Sequence, residues 1–239
     1  MEISERELLS LAGEVDDLHR QGMETMHEEI RALHAETRGF RRRSARNRAA
    51  VGGGALSVGG LTIPFARVLP VAAQSLTYGD IAAFAESVEL VAVEAYKAAA
   101  GSGKLQAGVK TVGEIFATHH QAHAQAFAGA SGGKATGKPN ARLLTAVGPD
   151  LTAAIAAGQT KILEFAQEVE NMATATYMFA LGALQSTAAL QLTASILPVE
   201  SQHATILGMA LGQSGAQLFP TAAFETDTAK IDPAMFPVA

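Results

Sequence analysis

Carboxylates and imidazoles stand at regular spacing in segments of this chain that carry little other charge. Glu200 and His203 are three residues apart in the apolar stretch LPVESQHA. On an α-helix, residues i and i+3 lie on the same face, so this pair would point in one direction. Burying both groups requires partners for their polar atoms. Coordination of a metal ion is the chemistry that this pairing indicates, with a buried hydrogen-bonded pair as the alternative.

The same chemistry recurs earlier in the chain. His120 and His123 are also three residues apart, and 80 residues separate His120 from Glu200 and His123 from His203. This match favours metal binding by His120 and His123 over a histidine-rich surface turn. The two pairs therefore look like corresponding positions of an internal repeat.

A second pair of positions supports the repeat. Glu89 is followed by Tyr96 and Glu170 by Tyr177, seven residues later in each case, and 81 residues separate the two copies. Each carboxylate would face inward from its own helix. The tyrosines, two turns away, would be hydrogen-bond partners of the ligands or plain core contacts.

A duplicated helical hairpin predicts a four-helix bundle. Helix one of each copy would supply a carboxylate, helix two would supply two ligands, and all six side chains could converge because facing helices lie about 8–10 Å apart. Four other acidic residues lie off the repeated register and are predicted to be exposed: Glu86, Glu94, Glu164 and Glu168.

Composition limits the ligand types and the classes of function. The chain has 239 residues, of which 48 % are hydrophobic and 17 % charged, which suits packed helices. It contains no cysteine, so thiolate sites and disulfides are excluded, and Glu, Asp and His ligands suit iron, manganese or zinc. A formal charge of −5 gives no support for nucleic-acid binding.

Local signals place the bundle helices at about 77–101, 111–128, 159–182 and 186–212. Thr77 and Asp80 have capping-box spacing, and Glu114 is interpreted as the corresponding cap after Thr111. Residues 140–157 are predicted to form shorter helical pieces broken at Pro149. Pro198 lies inside the last helix and would bend it beside Glu200.

Two segments precede the bundle. Residues 3–38 predict an amphipathic helix with Leu8, Leu11, Val15 and Leu18 on one face. This helix could pair with another helix, and its three histidines are interpreted as part of a solvated face rather than as metal ligands. They are His19, His27 and His34.

Residues 41–73 predict an export signal. The basic cluster RRRSARNR precedes an uncharged, glycine-rich stretch, and small residues at 71–73 offer a cleavage site. The arginine cluster resembles a twin-arginine signal, although Ser44 and Ala45 stand where large apolar residues are usual and 40 residues precede it. The alternatives are a membrane anchor with a retained N-terminus, or a cytoplasmic protein.

The arrangement of 77–212 resembles the ferritin-like superfamily of di-iron carboxylate proteins. That family takes one Glu from each of two helices and a Glu-x-x-His pair from each of the other two. Here Glu89, Glu170, Glu200 and His203 match the pattern, whereas His120 stands where Glu is expected before His123. ENMATATY around Glu170 looks like the Glu-then-Tyr pattern of the extracytoplasmic, stress-associated branch, in which twin-arginine signals are common.

The resemblance implies an all-α, ferritin-like bundle at 74–215, preceded by the helix at 1–40 and the segment at 41–73 and followed by an extended tail at 216–239. It also implies one or two iron ions, with oxidation of ferrous iron or reaction with peroxide as the chemistry. The alternative is a structural or stress-protective bundle whose site is vestigial or holds a single zinc or manganese ion. A homo-oligomer and association with a membrane are further expectations.

Overall fold

The computed structural model describes residues 3–25, 77–218 and 230–238. Within them the secondary structure is helical and no strand occurs, which confirms the predicted all-α fold class. The predicted export segment at 41–73, and with it His27 and His34, lies outside the described residues. The division of the chain into four segments stays a prediction.

Two helical hairpins build the core of the fold. Residues 5–25 form α1, and the hairpins consist of α2 with α3 and of α5 with α6, joined by α4. The bounds of the five later helices are α2 Tyr78–Gly101, α3 Ala107–Ala130, α4 Ala141–Ala157, α5 Gln159–Ala183 and α6 Thr187–Ala210. A 3₁₀ turn, Gly215–Leu218, follows α6.

Side chains at the ends of the helices fix where they start. The predicted capping box at α2 is confirmed: the Thr77 side chain accepts from the Asp80 amide, and the Asp80 carboxylate accepts from the Thr77 amide at 2.9 Å. At α4, Asn140 caps the helix by accepting from the Leu143 amide at 3.1 Å. Gly158, with φ of 102°, forms the sharp junction between α4 and α5, a conformation that strains any residue with a Cβ atom.

Two local predictions are wrong. Glu114 does not cap a helix, because α3 starts at Ala107 and Glu114 is an exposed side chain 3.5 Å from Lys110. Helix α4 is continuous through Pro149 rather than broken there. Proline removes the hydrogen bond to the carbonyl four residues earlier, but that residue, Thr145, is exposed, so water can bond to the freed oxygen.

Helix α1 packs onto the bundle of its own chain. Leu8 and Ala12 are buried in one apolar cluster with Phe116 of α3 and with Leu207 of α6. In addition, the Glu5 carboxylate accepts a hydrogen bond from the Gly108 amide at 2.6 Å. These contacts place α1 across the end of α3 and the face of α6.

The buried face of α1 differs from the predicted one. Residues 8, 12, 15 and 19 turn towards the bundle, whereas Leu18 is 60 % exposed. Both sets keep helical spacing, and a preference for large apolar side chains selected the wrong set. Ala12 and His19 face inward because α1 approaches the bundle closely.

The last described segment, 230–238, lies against the same bundle. Ile231 is buried, and its amide donates to the Thr176 hydroxyl at 2.8 Å. The Phe236 carbonyl accepts from the Asn140 side chain at 2.8 Å. These contacts agree with a C-terminal tail that wraps the helices.

We expect Leu8→Ala to lower the free energy of unfolding by about 2–4 kcal/mol, because it leaves a cavity between α1, α3 and α6. Leu18→Ala is the matched control and should change stability by less than about 0.5 kcal/mol. Urea unfolding monitored by circular dichroism measures both. Equal effects of the two substitutions would contradict the packing of α1 described above.

Candidate metal centre

The six ligands predicted from the sequence meet at one place inside the bundle. Each helix of the two hairpins contributes what the repeat predicts, and every one of these side chains is at most 3 % exposed. The residues are Glu89 of α2, His120 and His123 of α3, Glu170 of α5, and Glu200 and His203 of α6.

These side chains form two groups that share two members. Glu89 and His123 lie with His120 and Glu200 in the first group, and Glu170 and His203 lie with the same two residues in the second. In each group, one potential ligand atom per residue lies within 4.8 Å of all the others. The arrangement could therefore hold a metal ion in either group.

His120 lies between the two groups and faces both. Its Nδ1 is 2.8 Å from Glu89 Oε2, and its Nε2 is 3.1 Å from Glu170 Oε1. Glu200 Oε2 is 3.8 Å from the same Nδ1. The imidazole that replaces the expected glutamate thus presents one nitrogen to each half of the site.

Several polar atoms of the site lack hydrogen bonds although they are fully buried. They are His123 Nδ1, His203 Nδ1, Glu170 Oε2 and both carboxylate oxygens of Glu200. Glu200 Oε1 is only 2.8 Å from His123 Nδ1, yet the two atoms are not aligned for a hydrogen bond. Adjacent ligands of a metal with bonds near 2.1 Å are about 3 Å apart and point at the ion rather than at each other. The donor set fits a metal ion.

The two predicted tyrosines bind the carboxylates across the repeat. Tyr96 of the first hairpin donates to Glu170 Oε1, and Tyr177 of the second donates to Glu89 Oε1. Both tyrosines are buried, and Tyr96 also stacks on His120. Each phenol therefore orients a carboxylate that belongs to the other half of the duplication.

Three residues near the site were interpreted differently from the sequence. His119 is fully buried, and its Nδ1 is 2.9 Å from His203 Nε2 rather than being turned towards the ligands. His19, interpreted as solvated, is 6 % exposed and lies 3.1 Å from His123 Nε2. Glu86, predicted to be exposed, is buried and accepts from the Gly137 amide at 2.8 Å. Glu94, Glu164 and Glu168 are exposed, as predicted.

A signal for His19 is present in the sequence. The positions 8, 12, 15 and 19 keep the i+3 and i+4 spacing of a buried face, so His19 could have been assigned to it. Asp16, one residue from Val15, has no such signal. Its role depends on the docking of α1, since its Oδ1 lies 3.0 Å from His119 Nε2.

The family model for a ferritin-like domain matches residues 77–213, more than half of the chain. The chain belongs to the ferritin-like family. Neither the curated proteins nor the solved structures contain a significant match to it. The match covers both hairpins and α4 of this ferritin-like protein and leaves α1 outside.

Mutual pairing sets the charges of the metal-free site. Burial opposes ionisation of Glu89, but the hydrogen bond from His120 and the nearby imidazoles outweigh it and lower its pKa to about 2. Burial likewise opposes protonation of His123, but the charge of Glu200 outweighs it and raises the pKa to about 9. The pKa of Glu170 is lowered and those of His120 and His203 are raised, again against the effect of burial.

The two outer histidines behave in the opposite way. Burial is the largest cause for both, and the neighbouring imidazoles add to it. The pKa of His119 falls to about 3 and that of His19 to about 2. Both rings are therefore neutral at physiological pH, whereas the inner histidines of the ferritin-like site carry protons when no metal is present.

We expect the stability of the metal-free protein to be greatest near pH 6.5. Folded His123 keeps its proton up to about pH 9 while the unfolded chain loses it near 6.5, so the free energy of unfolding falls as the pH rises through this interval. Below about 6.5 the unfolded chain binds protons that neutral His19 and His119 do not take up, so stability falls there too. Urea unfolding in the presence of a chelator measures the profile, and a flat profile between pH 6.5 and 9.5 would contradict these charge states.

Proposed function

We propose that this ferritin-like protein binds ferrous iron at the buried Glu/His centre and oxidises it. The single observation that carries the proposal is the set of buried, unbonded ligand atoms that converge between the two hairpins. Unpartnered buried carboxylate oxygens are unfavourable unless a cation completes the site. Oxygen and nitrogen donors without thiolates suit Fe(II), with Mn(II) and Zn(II) as competitors.

The roles of the residues follow from their positions. Glu89 and His123 would bind one ion and Glu170 and His203 a second, and Glu200 lies within reach of both. Iron held there would supply one electron per ion, so that two ions reduce one peroxide, with two protons, to two waters. Tyr96 and Tyr177 keep the outer carboxylate oxygens occupied, which fixes the direction of the remaining oxygens.

An apolar cavity of about 40 Å³ supports entry of a small, uncharged oxidant. Tyr96 lines the cavity on one side and donates to Glu170 on the other. Ala92, Val112 and Leu163 also line it. Dioxygen is small and apolar, so this route suits it better than it suits an ion.

A second candidate function is a structural or stress-protective bundle. His120 favours it, because this imidazole donates to Glu89 and to Glu170 and so satisfies two carboxylates without any metal. In this case the centre would be vestigial or would hold one Zn(II) or Mn(II). Metal content and iron oxidation distinguish the two candidates.

Anaerobic addition of Fe(II) to the purified protein should load one or two ions per chain, and exposure to air should then oxidise them. Glu170→Gln should lower the affinity for Fe(II) by about 10-fold or more, because it removes a charged ligand from the second group. Glu168→Gln is the matched control, since Glu168 is exposed on the same helix. Isothermal titration and elemental analysis measure the binding, and failure of the wild-type chain to bind Fe(II) would exclude the proposal.

The location of the protein belongs to the same proposal. We propose that it is exported through the signal at 41–73 and that its N-terminal helix is retained. No described helix is long and apolar enough to cross a membrane. Cleavage near Ala73 would remove Leu8 and Ala12 from the core, so the packing of α1 supports retention.

Mass measurement of the protein from its native host tests retention. We expect the mature protein to keep residues 3–25, because they form part of the buried apolar cluster around Phe116. A mature N-terminus near residue 74 would contradict retention, and recovery of the protein only from the cytoplasm would contradict export.

A further inference from the structure

Helix α1 lies outside the matched ferritin-like domain, yet it contacts the centre at two points. Asp16 and His19 are one turn apart, and they point towards α3 and α6. His19 stacks on His119 with 3.9 Å between the ring centroids. Through these two residues the N-terminal helix contacts histidines on the outer side of the ligand set.

The first contact is a chain of three groups. Asp16 Oδ1 is 3.0 Å from His119 Nε2, and His119 Nδ1 is 2.9 Å from His203 Nε2. A carboxylate only accepts, so the hydrogen of the neutral His119 ring is on Nε2, and Nδ1 must accept. His203 then donates from Nε2, which leaves its Nδ1 lone pair for a metal.

The free nitrogen points at the centre. His203 Nδ1 has no hydrogen-bond partner and lies 3.4 Å from Glu170 Oε2 and 3.4 Å from Glu200 Oε2. The outer nitrogen of a metal-binding histidine usually donates to a carboxylate or carbonyl, which fixes its tautomer. Here a neutral histidine takes that place, and Asp16 fixes the histidine in turn.

The second contact acts on the other ligand histidine. His19 Nε2 is 3.1 Å from His123 Nε2, and His123 Nδ1 lies 3.5 Å from Glu89 Oε2. For Nδ1 to coordinate a metal, Nε2 must carry the hydrogen, so His19 Nε2 must accept it. Both ligand histidines thus depend on α1 for the same choice of tautomer.

We propose that α1 is a part of the metal centre and that Asp16 and His19 are positioning residues, which direct Nδ1 of His203 and of His123 to the metal. This inference rests on the metal binding proposed above. It assigns a role to a segment that the ferritin-like domain does not include. It also gives a reason, beyond packing, for the mature protein to keep residues 3–25.

Asp16→Asn tests the first chain with little change of shape. An amide can donate to His119 Nε2, which would move the hydrogen of His119 to Nδ1 and force His203 to carry its own on Nδ1. We expect affinity for Co(II), used as a spectroscopic probe, to fall about 10- to 100-fold. Asp17→Asn is the matched control, because the Asp17 side chain is 67 % exposed and contacts only Arg20 among the contacts found for it.

His19→Phe tests the second chain, since it keeps a ring over His119 but removes the acceptor for His123. We expect a similar loss of Co(II) affinity for this variant, with unfolding midpoints of the metal-free variants close to that of the wild type. Wild-type affinity in both variants would overturn the inference while leaving the proposed metal binding intact.

A measurement on the metal-free wild type separates this inference from the metal. Nitrogen-15 chemical shifts of the histidine rings report the tautomer of His119 directly. We expect the hydrogen on Nε2. A hydrogen on Nδ1 would overturn the inference whether or not the protein binds metal, and it would not depend on the folding of any variant.

Discussion

Burial of six ionisable groups in an apolar bundle is the constraint on which the rest of the structure depends. An isolated buried carboxylate or imidazolium is costly by several kcal/mol, and the groups persist only because each faces a partner of opposite charge. Three carboxylates and three imidazoles come from four helices, so none of them finds its partners until both hairpins dock. The capping of the helices, the sharp junction at Gly158 and the packing of α1 all keep that geometry in register.

His120 gives the centre its particular character. In the metal-free protein the ring donates to Glu89 and to Glu170, so protons stand where cations would otherwise balance the carboxylates. Binding of a metal must displace these protons, which links affinity to pH. A glutamate at this position would add negative charge and would require the metal more strongly. The substitution therefore makes the site tolerable without metal and leaves its ligands able to bind one.

The fold class and the meeting of six ligands were predictable because both are recorded as a repeat. Glu89 with Glu170 and His120 with Glu200 keep one period, and helical spacing converts that period into a common face. The crossed bonds of Tyr96 and Tyr177 were open, since spacing cannot distinguish a hydrogen bond within a hairpin from one across the bundle. The roles of Asp16 and His19 were beyond the sequence, because they depend on how α1 docks, and docking is a tertiary choice with no local signature.

The crossed tyrosines also bear on how the molecule opens. Each hairpin carries the phenol that satisfies the other hairpin's carboxylate, so separating the two leaves both carboxylates short of a donor at once. Opening of one half is then almost as unfavourable as opening of both, and the duplicated halves unfold as one cooperative unit rather than as two modules. A gene duplication that began with two equivalent hairpins has in this way produced a single domain that cannot be divided along its own repeat.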